Sequence, residues 1–197
     1  MERAVMISIR PEWVQKILDG KKTLEVRKSR PKLETPFKCY IYCTKPKRKY
    51  EDYIVTEWDD CFDWPNEGFF GGGLVVGEFV CDKIDIIQRR GIPQNFDYCY
   101  LSLNEWGNDD IETEIRDIRG SCIPKETLNA YAGKTPVLYA WHISNLQIYD
   151  TPKPINSFTC IREGIDGMGW WPMYRAPQSW GYVITEGDDA DESRRNA

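Results

Sequence analysis

The sequence predicts an α+β fold in which strands outnumber helices, and three observations lead there. Runs of strand length rich in aromatic and β-branched residues recur along the chain: Val5 to Ile9, Phe37 to Thr44, Leu74 to Ile87 and Val137 to Tyr149. Two stretches carry clear helix signals with a proline near the start and a glycine at the stop, Pro11 to Leu18 before Gly20 and Pro124 to Tyr131 before Gly133. A chain of 197 residues, 41% hydrophobic and 29% charged, is long enough to bury a substantial core. The expected organisation is one domain over residues 1–185, elaborated near 51–73 and 157–175, with an acidic disordered tail over 186–197.

Composition narrows the environment. No apolar run approaches the ~20 residues that span a bilayer, and Met1-Glu2-Arg3 leads directly into a strand. A cytoplasmic protein without membrane association is expected. The seven cysteines are scattered and odd in number, unlike a disulfide framework. The chain has one histidine, His142, and no Cys-x-x-Cys, while Cys39 and Cys43 would lie ~13 Å apart if extended. Neither a metal nor a cofactor is expected.

Charge is unevenly spread. Residues 1–50 hold 14 Lys and Arg against 5 Asp and Glu, a balance of +9, and the other 147 hold 12 against 26, a balance of −14; together they give −5. A basic half on an acidic chain suits a local anionic ligand such as a phosphate or nucleic acid, and argues against nonspecific coating of a long duplex.

In chain order, the most informative stretch is Met6 to Lys28. Trp13, Val14, Ile17 and Leu18 form one helix face, and Gly20 is placed to end the helix in the left-handed region. Thr23 to Lys28 then alternates, with Leu24, Val26 and Lys28 on one face and Thr23, Glu25 and Arg27 on the other. That polar face is either solvated or part of a cleft holding Lys22 and Glu25. Lys28 to Lys32 is a basic turn. In Phe37 to Thr44, alternation puts Phe37, Cys39, Ile41 and Cys43 inward. Lys45 to Lys49 is a second basic loop, closed by Tyr50 and Tyr53; the mixture suits stacking and phosphate contact, although an exposed basic loop is the commoner explanation.

Further on, Gly71-Gly72-Gly73 is expected to act as a hinge, since no Gly-Lys-Ser/Thr follows to make a phosphate loop. Gly77 predicts a bulge or a close backbone approach, and Asp82, Lys83 and Asp85 are expected where the strand leaves the core. Leu103, Trp106 and Ile111 hint at short helical turns. The long strand from Val137 is expected to bend near Ser144-Asn145 and to end at Pro152 and Pro154, and His142 within it reads as a structural hydrogen-bonder. Pro177-Gln178-Ser179-Trp180 supplies either a ligand wall or an aromatic plug.

The helix followed by Gly20-Lys21-Lys22-Thr23-Leu24-Glu25-Val26-Arg27, and the strands ending Val76-Gly77-Glu78-Phe79, resemble the ASCH domain. Tyr40 to Thr44, Tyr139 to Leu146 and Pro177 to Trp180 look like the longer bacterial and phage members of that family, so the resemblance spans most of residues 4–184. It implies a PUA-like mixed β-barrel with a few flanking helices, and a cleft that binds RNA or a modified nucleoside. One bacterial branch of the family hydrolyses N4-acetylcytidine with a lysine, a threonine and a glutamate. Its lysine matches Lys22, whereas its threonine falls at Glu25, a departure from that pattern. Another branch is linked to RNA cleavage.

Two functional expectations follow. As a binding module, the chain would hold phosphate with Lys21, Lys22, Arg27 and Lys28, with Thr23 beside them. Trp141 or Trp180 would stack on a base whose edge is read by Gln178 or Ser179. Lys22→Ala is then expected to weaken RNA binding and leave the fold intact. As a hydrolase of the ASCH type, it would use Lys22 as base or nucleophile and Glu25 as general acid or base. A protein-interaction role for the acidic, aromatic segment after Glu51 is a third reading.

Overall fold

The computed structural model describes residues 2–48, 50–59, 64–91, 98–103, 116–164 and 167–185. From the N-terminus the elements are β1 (Glu2–Ile9), α1 (Pro11–Leu18), β2 (Leu24–Arg27), β3 (Phe37–Cys43), β4 (Tyr53–Asp59), β5 (Trp64–Phe70), β6 (Leu74–Cys81) and β7 (Ile84–Gly91). They are followed by β8 (Tyr98–Leu103), α2 (Arg116–Arg119), α3 (Lys125–Ala132), β9 (Val137–His142), β10 (Ser144–Pro154), β11 (Thr159–Gly164), β12 (Gly167–Pro172) and β13 (Trp180–Thr185). The fold is α+β and mostly strand, as expected. The chain divides into two compact units, one of Met1–Gln15, Phe37–Phe79 and Leu146–Ala197, the other of Lys16–Pro36 and Val80–Asn145.

The first unit is built on a seven-stranded mixed sheet of order β10-β6-β3-β1-β13-β11-β12. β1 lies at its centre, parallel to β3 and antiparallel to β13. Its run Ala4 to Ile9 is buried throughout, which is why it reads as apolar at every position but Ser8 rather than alternating. Ala4, Met6, Tyr40, Val75, Phe158, Cys160, Met173 and Val183 form the core of this unit. Phe37, Cys39, Ile41 and Cys43 are buried as expected; Tyr40 on the opposite face is buried too, with its ring 4.9 Å from that of Phe158. The segment around 157–175 supplies β11 and β12, an antiparallel hairpin that extends the sheet. β10 ends at Pro154, as expected, and Pro152 is tolerated in its last residues because β10 is an edge strand and the missing N–H groups break no central ladder. After β3, β4 and β5 pair as a separate two-stranded hairpin.

The second unit holds the sheet β2-β9-β7-β8. Leu24, Val26, Ile87, Leu138 and Ala140 face Leu128 and Ala132 of α3, forming its core. The long run Leu74 to Ile87 is two strands, β6 and β7, broken at the exposed Asp82-Lys83. Asp85 does not mark an exit from the core, since it is buried in β7. Leu103 belongs to β8, not to a helical turn, because pairing with β7 overrides its local tendency. Trp106, Ile111 and the acidic tail lie outside the described residues. The bend expected near Ser144-Asn145 is present as the break between β9 and β10, with Asn145 at φ 47°. Among the described residues no helix is long and apolar enough to cross a membrane.

Candidate nucleic-acid interface

The site starts at the end of α1. Gly20 adopts φ 68°; its N–H bonds the carbonyl of Ile17 at 3.0 Å, and Lys21 N–H bonds that of Lys16 at 3.0 Å. This pair of bonds is a Schellman cap, which reverses the chain sharply. Lys22 N–H also reaches Lys16 O, at 2.8 Å. The tight turn sends consecutive lysines opposite ways. Lys21 is exposed and pairs with Asp19 at 3.0 Å, while Lys22 points inward and is 1% exposed. Thr23 is exposed, and its N–H and that of Leu24 both bond the carbonyl of Gly120.

β2 pairs with β9 so that Glu25 lies opposite Trp141 and Arg27 opposite Tyr139. β7 continues the same rows with Ile84 and Ile86. Because directly opposed residues share a face, Glu25, Arg27, Tyr139 and Trp141 project from one side of the sheet, away from the core on the other.

Lys22, Glu25 and Arg27 converge there. The Lys22 ammonium lies 3.1 Å from one Glu25 oxygen, and Arg27 Nη2 lies 3.0 Å from the other. Lys22 Nζ also donates to Leu24 O and Ser121 O, each at 2.8 Å. An ammonium has three protons to donate, and three acceptors are in place. Of the two alternatives for this polar face, the solvated one does not describe Glu25 and Arg27: they are 7% and 9% exposed, because opposite charges meet at short range.

Around this cluster lie the basic turn expected from sequence and two rings, Tyr131 and Tyr139, to which the sequence assigned no role. Tyr131, at the end of α3, carries the Lys28 ammonium 5.0 Å from its ring centre, and Arg30 lies 5.8 Å over Tyr139. Burial pushes the Tyr131 hydroxyl above its ordinary pKa; nearby Arg27 pulls it down and Glu25 pushes it up, so the ring is electrostatically coupled to the buried cluster. Lys28, Arg30 and Lys32 are exposed along the strap after β2. Beside this strap opens a cleft of about 780 Å³, lined by Arg30 to Thr35 and Ile84. Its size falls within the range of small-ligand sites.

Trp141 is fully buried and has no open face for a base. Gln178, Ser179 and Trp180 belong to the first unit. There Gln178 is exposed, Ser179 accepts a backbone bond from Ser8 at 2.9 Å, and the half-buried Trp180 ring meets Tyr182 edge-on at 5.6 Å. His142 is a hydrogen-bonder as expected, with Nε2 2.6 Å from Asp85 Oδ2. Burial pushes the Asp85 carboxyl up, but hydrogen bonds from His142 and Lys83 outweigh it and hold the group below its usual range.

A profile of the ASCH domain matches residues 7–146, most of the chain, and the chain belongs to the ASCH domain family. Its fold is similar to that of an ASCH protein from Zymomonas mobilis, with TM-score 0.54 and 16% identity over 98% of this chain and 94% of that one. Structures of two variants of that protein give similar agreement, one serine-to-alanine (TM-score 0.53, 16% identity, 98% and 94% covered) and one tyrosine-to-phenylalanine (TM-score 0.54, 16% identity, 98% and 97% covered). No curated protein matches the chain.

Proposed function

We propose that the chain is an RNA-binding module of the ASCH type, and that the strap Lys28 to Lys32 with Tyr131 and Tyr139 makes the contact. The observation that carries this reading is the pairing of exposed cations with aromatic rings, Lys28 over Tyr131 and Arg30 over Tyr139, beside an open cleft. Phosphates would meet Lys28, Arg30 and Lys32, and a base would exchange places with a cation on a ring. In this reading Lys22, Glu25 and Arg27 are the support. Their mutual pairing holds β2 and the start of the strap in one position. The PUA-like barrel implied by the resemblance is part of the same proposal, supported by the strand-dominated fold shared with the ASCH structures.

The hydrolase reading would require Lys22 to release one of its three acceptors before acting as base or nucleophile, which places binding ahead of catalysis. Fluorescence anisotropy with short labelled single-stranded RNA tests the proposal. Lys28→Ala/Arg30→Ala should weaken binding about tenfold or more at constant salt, and equal affinity for parent and variant would refute it. Acetate release from N4-acetylcytidine by the parent chain would instead support the hydrolase.

A further inference from the structure

The first unit carries a second set of cations and rings that the proposed interface does not use. The loop after β3 exposes Lys45, Lys47 and Arg48, and a cleft of about 470 Å³ places them around Arg10. Two carboxylates share this cleft, Glu12 and Glu51, but their pairs with Arg10 and Arg48 are long, at 3.7 and 3.8 Å, and exposed. Such pairs hold their partners weakly and exchange readily for a phosphate. A neighbouring cleft of about 440 Å³ shares residues 45–48 and runs on to Tyr50 and Phe70, with the carboxylate of Asp52 also in its lining. One loop therefore has a cationic side and an aromatic side.

The aromatic side is unusual for a surface. Tyr50 is 75% exposed, Phe70 52% and Tyr53 38%, and Phe70 lies 6.1 Å from the Tyr50 ring and 5.1 Å from that of Tyr53. Tyr50 also sits at φ 70°, a left-handed conformation that a bulky residue rarely adopts. Hydrogen bonds tie the neighbouring backbone to β3 and β4. Gly73 N–H bonds Cys43 O at 2.8 Å and Gly71 N–H bonds Asp52 O at 2.9 Å. A side chain on Gly73, itself at φ 91°, would run into Lys45. The Gln15 amide clamps Val55 of β4 with bonds of 3.0 and 2.8 Å. The three glycines, expected from sequence to act as a hinge, form a hydrogen-bonded turn between β5 and β6 that ties this end of the hairpin to Cys43 and Asp52.

We infer that Lys45 to Arg48, Tyr50 and the strands β4 and β5 form a second contact surface for single-stranded nucleic acid, with phosphates on Lys45, Lys47, Arg48 and Arg10 and a base on Tyr50 or Phe70. An acidic peptide would use the cations alone, whereas a nucleotide matches both sides of the loop. The inference rests on the proposed RNA-binding function but concerns a different surface.

Crosslinking the full chain to RNA containing 4-thiouridine, with the adducts mapped by mass spectrometry, separates the two. Adducts at Tyr50 or Phe70 are expected. Tyr50→Ala should weaken binding about fivefold or more with little change in salt slope, and Lys47→Ala/Arg48→Ala should flatten the slope. Adducts confined to 28–32, Tyr131 or Tyr139 would overturn this inference and leave the first surface standing. Binding of an acidic peptide, unaffected by Tyr50→Ala, would also overturn it. A chain that neither binds nor crosslinks RNA would overturn both readings.

Discussion

At the residue scale, the decisive feature is one carboxylate shared by two cations. Glu25 gives one oxygen to Lys22 and the other to Arg27. Removing the ammonium leaves Glu25 with Arg27 as its partner and takes a buried donor from the Leu24 and Ser121 carbonyls. Lys22→Ala is therefore expected to destabilise the fold by about 2–4 kcal/mol, measured by urea denaturation, so its effect on RNA binding has to be read against its effect on stability. The Asp85–His142 contact makes a prediction in pH. Because the folded Asp85 carboxyl is held below its ordinary value, its contribution is full above the unfolded pKa of about 4 and is lost as pH falls through the lower folded value. Asp85→Asn should cost about 1–3 kcal/mol at neutral pH, and thermal melts should show the gap to the parent narrowing below pH ~4. A constant gap down to pH ~2 would rule out the linkage.

At the element scale, two glycines separate conformation from space. Nothing lies near a side chain added at Gly20, so Gly20→Ala should cost only the left-handed backbone penalty, about 1–2 kcal/mol, and Gly20→Asn less. A side chain on Gly77 would meet the Gln147 carbonyl at 2.5 Å, where β6 and β10 approach. Gly77→Ala should cost about 1–3 kcal/mol by overpacking, and Gly77→Asn no less; chemical denaturation of the four variants checks both. The helix stop at Gly20 and the close approach at Gly77 were legible because each turns on a residue type with one physical advantage. The division of Leu74 to Ile87 into β6 and β7 was not. Both halves are equally apolar and β-branched, and only pairing partners distant in sequence assign them to different sheets.

At the scale of the whole molecule, a net charge of −5 with a +9 first quarter predicts affinity for short single strands that depends on salt through few contacts. If only Lys28, Arg30 and Lys32 meet phosphate, the slope of log affinity against log salt should be about −2; engagement of Lys45, Lys47, Arg48 and Arg10 as well should bring it to about −5. Anisotropy titrations across salt concentrations distinguish these values, and a slope near zero would exclude phosphate contact. By itself, the sequence determined the strand-rich α+β class, the helix caps, the basic bias of the N-terminal part and the segment that holds Lys22 and Glu25. These follow from local periodicity, backbone preference and charge. Tertiary structure alone decided that Lys22 is a buried strut, that Trp141 is closed to ligand, and that Tyr131 and Tyr139 carry cations. Each depends on a partner far along the chain, such as Ser121, 99 residues from Lys22, and burial by a distant segment leaves no local pattern to read.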